Sequence, residues 1–339
     1  MTGVSPTQRQ ITSDDVAYLV RVSFGSHTRV RDAGPLVGGG YATVWWALLD
    51  DDRRVVLKLA PPVGTPLLRY ERGLCAAEAR YFRLVAEHAP QVPVPLVWDH
   101  GTDPAYGEWL VTALLPGRSL HELAVAGVAV DDGPARYDLG VALAALHRVT
   151  GDRFGYDGGR AGGSTWRIAF TAMLDALLAD ATEWNVRLPV TPERLHALVG
   201  RHADVLDEVR RPALLHFDCW DGNVLAAPDS DGRLRLCGLV DGERFLYGDP
   251  LLDLVSPVLL RRIEDDPGHP LLRGYQATAA EPLVLDVSAR RRLGLYRLHL
   301  YLLMTVEMPS RSMTPQSHPE RHARLAALLD SELAALADD

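Results

Sequence analysis

Apolar residues fall in short runs over the first third of the chain and follow helical spacing after it. Runs of strand length occur at 44–49, 54–60 and 108–115, bounded by glycine, proline or aspartate. Between them, residues 67–88 carry apolar side chains at the spacing of an amphipathic helix. The pattern therefore predicts a strand-rich first part with one main helix, followed by a larger helical part.

Further helices are predicted at both ends of the chain. A helix capped by Ser13 is expected to stop at Gly25. Helical spacing in the second part predicts helices at 137–149, 166–184, 192–209, 256–263, 270–280, 287–307 and 318–337. The segment 151–164 is rich in glycine and poor in apolar residues, so it is predicted to be a mobile loop.

A predicted hairpin brings an amide and a carboxylate together. Residues 224–227 and 234–240 read as strands, and the turn between them contains proline, aspartate and glycine. Neighbouring strands lie roughly 5 Å apart, so we expect Asn223 and Asp241 to be neighbours at the open end of the hairpin. Oxygen ligands of this kind suit Mg²⁺ that also binds phosphates. Asn223 and Asp241 are therefore the candidate magnesium ligands.

The residues just before this hairpin have the spacing of a kinase catalytic loop. They read HFDCWDGN from position 216 to 223, with an Asp two residues after the His and an Asn five residues after that Asp. In such a loop the Asp accepts a hydroxyl proton. Asp218 is therefore the candidate base, and His216 is assigned to the same catalytic loop. The alternative is that His216 and Asp218 only cap and brace a loop.

A glycine-rich turn and a strand lysine complete the pattern. Three consecutive glycines between predicted strands would let backbone amides approach phosphate oxygens: Gly38, Gly39 and Gly40. Lys58 lies within an apolar strand, where an unpaired charge is costly to bury, so it either reaches solvent at a sheet edge or holds an anion. In kinases a Glu on the next helix orients this lysine. Glu78 is preferred to Glu71 because it lies deeper in the apolar face of the helix.

These motifs resemble those of the aminoglycoside phosphotransferase and choline kinase superfamily. After Asp241 the chain continues to GDPLLDL at 248–254, which is similar to the family's GDPxxDL, and residues 92–95 read VPVP, as the family does before a strand. The segment around Glu78 also resembles the family's helix motif. The resemblance covers about residues 30 to 260.

The resemblance implies an α+β fold of the protein-kinase-like, bilobal type. A small β-rich N-terminal lobe with one main helix is expected over residues 1–115, and a larger α-rich C-terminal lobe over 116–339. ATP or GTP is expected between the lobes, together with Mg²⁺. The family's hinge implies backbone contacts to the base from Ala113 to Leu115, and Leu225 is expected among the nucleotide contacts.

The reaction implied by the resemblance is transfer of a γ-phosphoryl group to a hydroxyl of a small molecule. The favoured acceptor is an antibiotic such as an aminoglycoside, macrolide or nucleoside, which would give resistance or self-protection. The alternative is a metabolic acceptor of the choline, homoserine, methylthioribose or fructosamine type. A silent nucleotide-binding pseudokinase is disfavoured because Lys58, Asp218, Asn223 and Asp241 are all present.

The acceptor site is the least determined part of the prediction. Phe217 stands where the family usually has Gly, and Gly242 stands where it usually has an aromatic residue. Trp220 replaces a frequent His, and it either stacks on the acceptor or packs against the C-terminal lobe. Tyr301 and Glu307 are candidates for lining the acceptor pocket, but their six-residue spacing places them about 120° apart on a helix. One of the two is therefore expected to point away.

Composition informs only partners and compartment. A chain of 339 residues is long enough for two lobes, and a net charge of −9 disfavours a nucleic-acid partner. The three cysteines form no CxxC pair, and we find neither a signal-peptide pattern nor an apolar run long enough to span a membrane. We therefore expect a cytoplasmic protein with no membrane partner.

Overall fold

The first part of the chain is built around one antiparallel sheet. The computed structural model describes residues 5–36, 40–127 and 131–338. The sheet strands are β1 (Val30–Pro35), β2 (Thr43–Leu49), β3 (Arg54–Leu59), β4 (Val97–Asp103) and β5 (Gly107–Ala113). Within the described residues they pair in the order β1-β2-β3-β5-β4. The strand β3 is therefore central, and its side chains Leu57 and Leu59 are fully buried.

Two helices accompany this sheet, and both differ from prediction at their first residue. The helix α1 (Ser13–Phe24) is capped by Thr12, not by Ser13, because Thr12 and Asp15 bond to each other's backbone amides in a capping box. It ends at Gly25, as predicted. The main helix α2 (Leu74–His88) starts seven residues later than predicted. A 3-10 turn precedes it, and Gly73, with φ of 69°, breaks the helical path.

Short strands in the second part form two further sheets. One has the order β11-β10-β6 and contains β6 (Arg118–Ser119), β10 (Val224–Pro228) and β11 (Leu234–Leu239). The other has the order β8-β7-β12-β9 and contains β7 (Phe154–Tyr156), β8 (Gly162–Gly163), β9 (Ala213–Leu215) and β12 (Leu246–Gly248). The segment 151–164, predicted to be a mobile loop, thus contains two short strands. Phe154 and Tyr156 are buried, and pairing of β7 with β12 holds the segment in place.

The described residues of the second part contain eight α-helices. They are α3 (Leu120–Val125), α4 (Gly133–Leu146), α5 (Trp166–Glu183), α6 (Pro192–Arg201), α7 (Ala203–Asp207), α8 (Pro270–Thr278), α9 (Val287–Val306) and α10 (Pro319–Asp338). The predicted helix at 256–263 is wrong, because Leu260 adopts a left-handed φ of 67° there. Among the helices of the described residues, none combines the length and apolar character that crossing a membrane requires.

A large apolar core joins α2 to the helices of the second part. It includes Phe82 of α2, Trp166 of α5 and Tyr296 of α9, all at most 2% exposed. The indole of Trp166 donates a 2.7 Å hydrogen bond to the Tyr296 hydroxyl, which in turn donates to Asp249 at 2.6 Å. The predicted lobe boundary at residue 115 stays a prediction, and it falls between β5 and β6.

Candidate active site

Lys58 is the centre of a buried group of carboxylates. Its ammonium nitrogen lies 2.7 Å from Glu78, 2.7 Å from Asp241 and 2.5 Å from Glu243. Burial alone would lower the pKa of Lys58, but the three carboxylates outweigh burial and raise this pKa well above its ordinary value. Lys58 is therefore a charged side chain held in the interior by three carboxylates.

The structure places Glu78, and not Glu71, against Lys58. Glu78 is 3% exposed on α2, and burial raises the pKa of its carboxyl although Lys58 opposes the shift. Glu71 lies in the turn before α2. It accepts a hydrogen bond from the Leu68 amide at 2.9 Å and forms an ion pair with Arg311 instead. The two rival glutamates thus have separate partners.

The hairpin β10–β11 brings Asn223 and Asp241 together as predicted from the strand pattern. The amide of Val240 donates to the carbonyl of Asn223 at 3.1 Å, so the residues that flank the hairpin are adjacent. The side-chain nitrogen of Asn223 donates to the carbonyl of Asp218 at 2.8 Å, so the amide oxygen is the atom that could hold a cation. Burial would raise the pKa of Asp241, but Lys58 lowers it and keeps the carboxylate charged.

His216 braces the catalytic loop. Its ring bonds to the carbonyl of Val240 at 3.0 Å, and burial lowers the pKa of the imidazole. The backbone amides of His216 and Phe217 both donate to Asp253 of the GDPLLDL segment, at 2.9 Å and 2.5 Å. The segment that follows the hairpin therefore anchors the loop, and the side chain of His216 positions it.

The Asp218 side chain is partly buried and lies near one positive charge. Burial raises the pKa of Asp218 to about 6, and Asp241 adds to the shift while Arg244 opposes it. The Arg244 Nε atom lies 3.7 Å from an Asp218 oxygen, and an Nη atom of Arg244 lies 2.8 Å from Glu307. Asp218 is thus ionised at neutral pH yet has an appreciable affinity for a proton.

Two site residues were missed from the sequence, Glu243 and Arg244. Both lie on the 3-10 turn Gly242–Arg244 directly after Asp241. Ligand atoms of Glu78, Asp241 and Glu243 lie within 4.8 Å of one another and could hold a metal ion. Hard carboxylate oxygens fit Mg²⁺. The spacing of two residues between Asp241 and Glu243 was the signal available in the sequence.

Two of the three departures from the family pattern, Gly242 and Phe217, have a structural reason. A Cβ added to Gly242 would lie 2.0 Å from the Tyr81 ring, so a tyrosine of α2 fills the space beside this glycine. Phe217 keeps a left-handed φ of 68°, the conformation that glycine adopts most easily. Its ring is 1% exposed, and we infer that packing offsets the backbone cost.

The predicted hinge is only partly available for a base. The amide of Ala113 already donates to the carbonyl of Leu96 at 2.8 Å. The Leu115 amide donates to no other residue in the described ranges. Side chains of Leu115 and Leu225 meet over Gly238, where an added Cβ would lie 2.6 Å and 3.2 Å from them. These leucines form an apolar surface, and Leu115 supplies the free backbone donor.

The predicted phosphate loop is described only at its end. Gly38 and Gly39 lie outside the described residues. The carbonyl of Gly40 accepts a hydrogen bond from the Thr7 hydroxyl at 3.1 Å. The N-terminal segment thus holds the end of this turn against the sheet.

The two acceptor candidates on α9 have different surroundings. Glu307 lies at the end of the helix beside the catalytic loop, where it contacts Arg244 and accepts a hydrogen bond from the Tyr70 hydroxyl. Tyr301 is 1% exposed within the core, and burial with the nearby Glu332 raises its pKa to about 12. The prediction that Tyr301 lines an open pocket is therefore wrong.

Trp220 is partly exposed at the opposite end of the catalytic loop. Its ring packs against His121, with 5.3 Å between the ring centroids, and covers Gly222. The Trp220 side chain is therefore in contact with protein but not fully buried. Trp220 stays a candidate for the acceptor contact that the sequence suggested.

The fold and the site define a class of enzyme. A β-sheet with a lysine–glutamate ion pair, followed by a helical part that carries a catalytic loop and its metal-ligand hairpin, is the arrangement of kinase-type phosphotransferases. A sequence profile of the phosphotransferase enzyme family matches residues 33–296, and the chain belongs to this family. No curated protein sequence matches the chain.

Solved structures share this fold along almost the whole chain. A candidate fructosamine-3-kinase from Thermobifida fusca YX-ER1 is 20% identical with a TM-score of 0.65, over 96% of this chain and 99% of that one. A macrolide 2'-phosphotransferase type I is 18% identical with a TM-score of 0.60, over 94% and 99%. A thermostable mutant of an aminoglycoside phosphotransferase, solved with ADP and hygromycin B, is 19% identical with a TM-score of 0.58, over 95% and 98%. The predicted kinase-like fold is confirmed.

Proposed function

We propose that this phosphotransferase moves the γ-phosphoryl group of ATP or GTP to a hydroxyl of a small molecule, with antibiotics as the first acceptors to test. One observation carries the proposal. Lys58 lies 2.7 Å from both Glu78 and Asp241, beside the loop that holds Asp218. In kinases this lysine binds the α- and β-phosphates and the glutamate orients it.

The nucleotide would lie between the sheet and the catalytic loop. Leu115 and Leu225 would contact the base, and Lys58 would release a carboxylate to bind phosphate oxygens. Asn223 and Asp241 would hold Mg²⁺, with Glu243 as a further ligand. A Mg²⁺ ion held there would supply positive charge against the negative charge that develops on the phosphates.

Asp218 would orient the acceptor hydroxyl and take its proton. A base works best when its pKa lies near the working pH, and burial raises the pKa of Asp218 to about 6. His216 would act indirectly, by fixing the loop against β11. Glu307 is the stronger of the two predicted acceptor contacts on α9, because it reaches the Arg244 side chain next to Asp218.

The acceptor is proposed from the relatives named above. Two of these relatives are a macrolide phosphotransferase and an aminoglycoside phosphotransferase. This similarity favours an antibiotic as the acceptor, with resistance or self-protection as the consequence. The fructosamine-3-kinase candidate has the highest TM-score of the three, 0.65, and makes a metabolic sugar-type acceptor the second candidate. Both classes belong in one screen.

The experiment is a panel of hydroxylated antibiotics and metabolites offered with Mg²⁺ and either ATP or GTP. We expect acceptor-dependent release of the nucleoside diphosphate and a product heavier by one phosphoryl group. Asp218→Ala should lower kcat on that acceptor by roughly two to four decades. Asp231→Ala, which removes an exposed carboxylate from the hairpin turn, is the matched control. If Asp218→Ala kept the wild-type kcat, the assignment of the base would be wrong.

A further inference from the structure

A cavity of about 570 Å³ lies next to the catalytic loop, on the side of α5. The segment around β7 and β8, the turn before α2 and α5 form its walls. Its charged lining is mostly basic, with Asp180 as the one acidic residue among the described residues that line it. The arginines that line it are Arg69, Arg72, Arg153 and Arg160.

In the part of the chain that the structure describes, most of the arginines that line this cavity lack an ion-pair partner. Asp180 forms an ion pair with Arg69, which also contacts Glu183, so this acid is already used. Across residues 5–36, 40–127 and 131–338, three of the lining arginines form no ion pair: Arg72, Arg153 and Arg160. The cavity thus presents donors without a matching carboxylate.

Arg160 is the least exposed of these three. Its guanidinium donates to the backbone carbonyls of Asp157 at 2.8 Å and Tyr70 at 2.9 Å, and it lies 5.1 Å from the centroid of the Tyr156 ring. The nearby carboxylates have other partners, since Asp157 pairs with Arg80 and Glu243 with Lys58. Removing a charge from water without a counter-ion costs free energy, which an anion in the cavity would offset.

One residue of the cavity wall, Tyr156, packs against the catalytic loop. The ring of Tyr156 lies 6.4 Å from that of Tyr70 and 6.2 Å from that of Phe217, the residue before Asp218. Arg160 also approaches the carbonyl of Glu243 at 3.5 Å. A molecule in the cavity would therefore lie against the side chains that support Asp218.

We propose that this cavity binds an anionic group, a carboxylate or a phosphate. Arginine presents planar donors that match the oxygens of such groups in pairs. The group belongs either to the acceptor itself or to a separate small anion. In the first case the inference rests on the proposed function and narrows the acceptor to molecules that carry an acidic group near the reacting hydroxyl.

Inorganic phosphate, titrated into the full-length protein by calorimetry, tests the site without any turnover. We expect Arg160→Gln and Arg153→Gln each to weaken phosphate binding by about tenfold or more, because each removes a charge-assisted hydrogen bond. Arg233→Gln, an exposed arginine of the β10–β11 turn, should leave binding within about twofold, as expected for a distant surface charge. Arg153 is exposed, so its variant tests the site even if Arg160→Gln fails to fold.

Two results would overturn the inference. One is the absence of phosphate binding to the wild-type protein at millimolar concentration. The other is wild-type affinity in both arginine variants, which would place the anion elsewhere, for example at Lys58. Neither result depends on nucleotide turnover, so failure of this site is distinct from failure of the proposed function.

Kinetics then separate the two sources of the anionic group. If the group belongs to the acceptor, phosphate competes with the acceptor found in the panel, and Arg153→Gln raises the acceptor KM without changing the nucleotide KM. If a separate anion binds, inhibition or activation by phosphate is not competitive with the acceptor. Either inhibition pattern supports the anionic site if it is present in the wild-type protein and absent from the arginine variants.

Discussion

Arg244 is the positive charge closest to Asp218, and removing it tests how the catalytic loop sets the reactivity of its base. The two side chains approach to 3.7 Å, and the Asp218 side chain keeps 20% of its surface exposed. Two unit charges 3.7 Å apart interact by about 1 kcal/mol in water and by about 4 kcal/mol at the effective dielectric constant near a protein surface. Glu307 shares the charge of Arg244, so we take the lower value, which corresponds to about 0.7 pKa unit.

The direction of the effect follows from the role of Asp218. A base must be ionised, so kcat/KM should fall as the pH drops through the pKa of Asp218, which burial raises to about 6. Arg244→Met removes the charge that stabilises the carboxylate and should move this midpoint up by about 0.7 unit. Glu307→Gln removes a negative neighbour and should move it down. The value of kcat/KM on the plateau at higher pH reports any separate effect of the variant on acceptor binding.

The measurement is kcat/KM for the acceptor against pH, at saturating Mg²⁺ and nucleotide, for both variants. Arg235→Met is the matched control, because this exposed arginine pairs with Asp138. The reasoning is refuted if both variants keep the wild-type midpoint, or if the two midpoints move in the same direction. Ionisation of a group other than Asp218 would then limit the rate.

Three further results are expected. Asp241→Asn should weaken the dependence of nucleotide binding on Mg²⁺. If this variant bound Mg²⁺-nucleotide and turned over like the wild type, the metal would lie elsewhere. Glu307→Ala should raise the acceptor KM with little change in the nucleotide KM, whereas Tyr301→Phe should leave both KM values unchanged. If the two variants had the same effect on the acceptor KM, Glu307 would not belong to the acceptor site. Gly242→Ala forces a Cβ to within 2.0 Å of Tyr81 and should lower Tm through overpacking worth about 1–3 kcal/mol, and an unchanged Tm would contradict this packing.

The centre of the site could be predicted because its residues lie on elements with a readable period. Lys58 stands in an apolar strand, and Glu78 in an amphipathic stripe, so each element specifies where its side chain points. The spacing from His216 to Asn223 is itself a local rule. Contacts of this kind can be predicted with little knowledge of the rest of the fold.

The parts that were missed depend on contacts between distant positions. Arg244 lies on a 3-10 turn without periodicity, and its partner Glu307 is more than 60 positions further along the chain. The segment 151–164 was predicted to be a mobile loop because it is rich in glycine and poor in apolar residues. Its order comes from pairing of Leu246 with Tyr156, which no local pattern reveals.

The same reasoning explains why Glu71 looked like a rival partner for Lys58. In the predicted helix, Glu71 lies on about the same face as Glu78. The left-handed backbone of Gly73 separates Glu71 from the observed helix, so Glu71 does not share that face. The carboxylate instead meets Arg311, which comes from the end of the chain and also lies 5.0 Å from the centroid of the Tyr41 ring. Arg311 therefore joins the last part of the chain to the sheet side of the site.

This buried ion pair should matter for stability more than the exposed ones do. The Glu71 side chain is fully buried and that of Arg311 is 8% exposed, so either residue left alone is a buried charge without a partner. Arg311→Met should lower the free energy of unfolding by about 3 kcal/mol, and the double variant with Glu71→Gln should lose much less than the sum of the single changes. Arg31→Met, which breaks an exposed pair with Asp52, should cost at most about 1 kcal/mol. Urea unfolding of the wild-type protein and the four variants measures these losses. Strict additivity of the two buried changes would show that the pair contributes no coupling between the two parts of the chain.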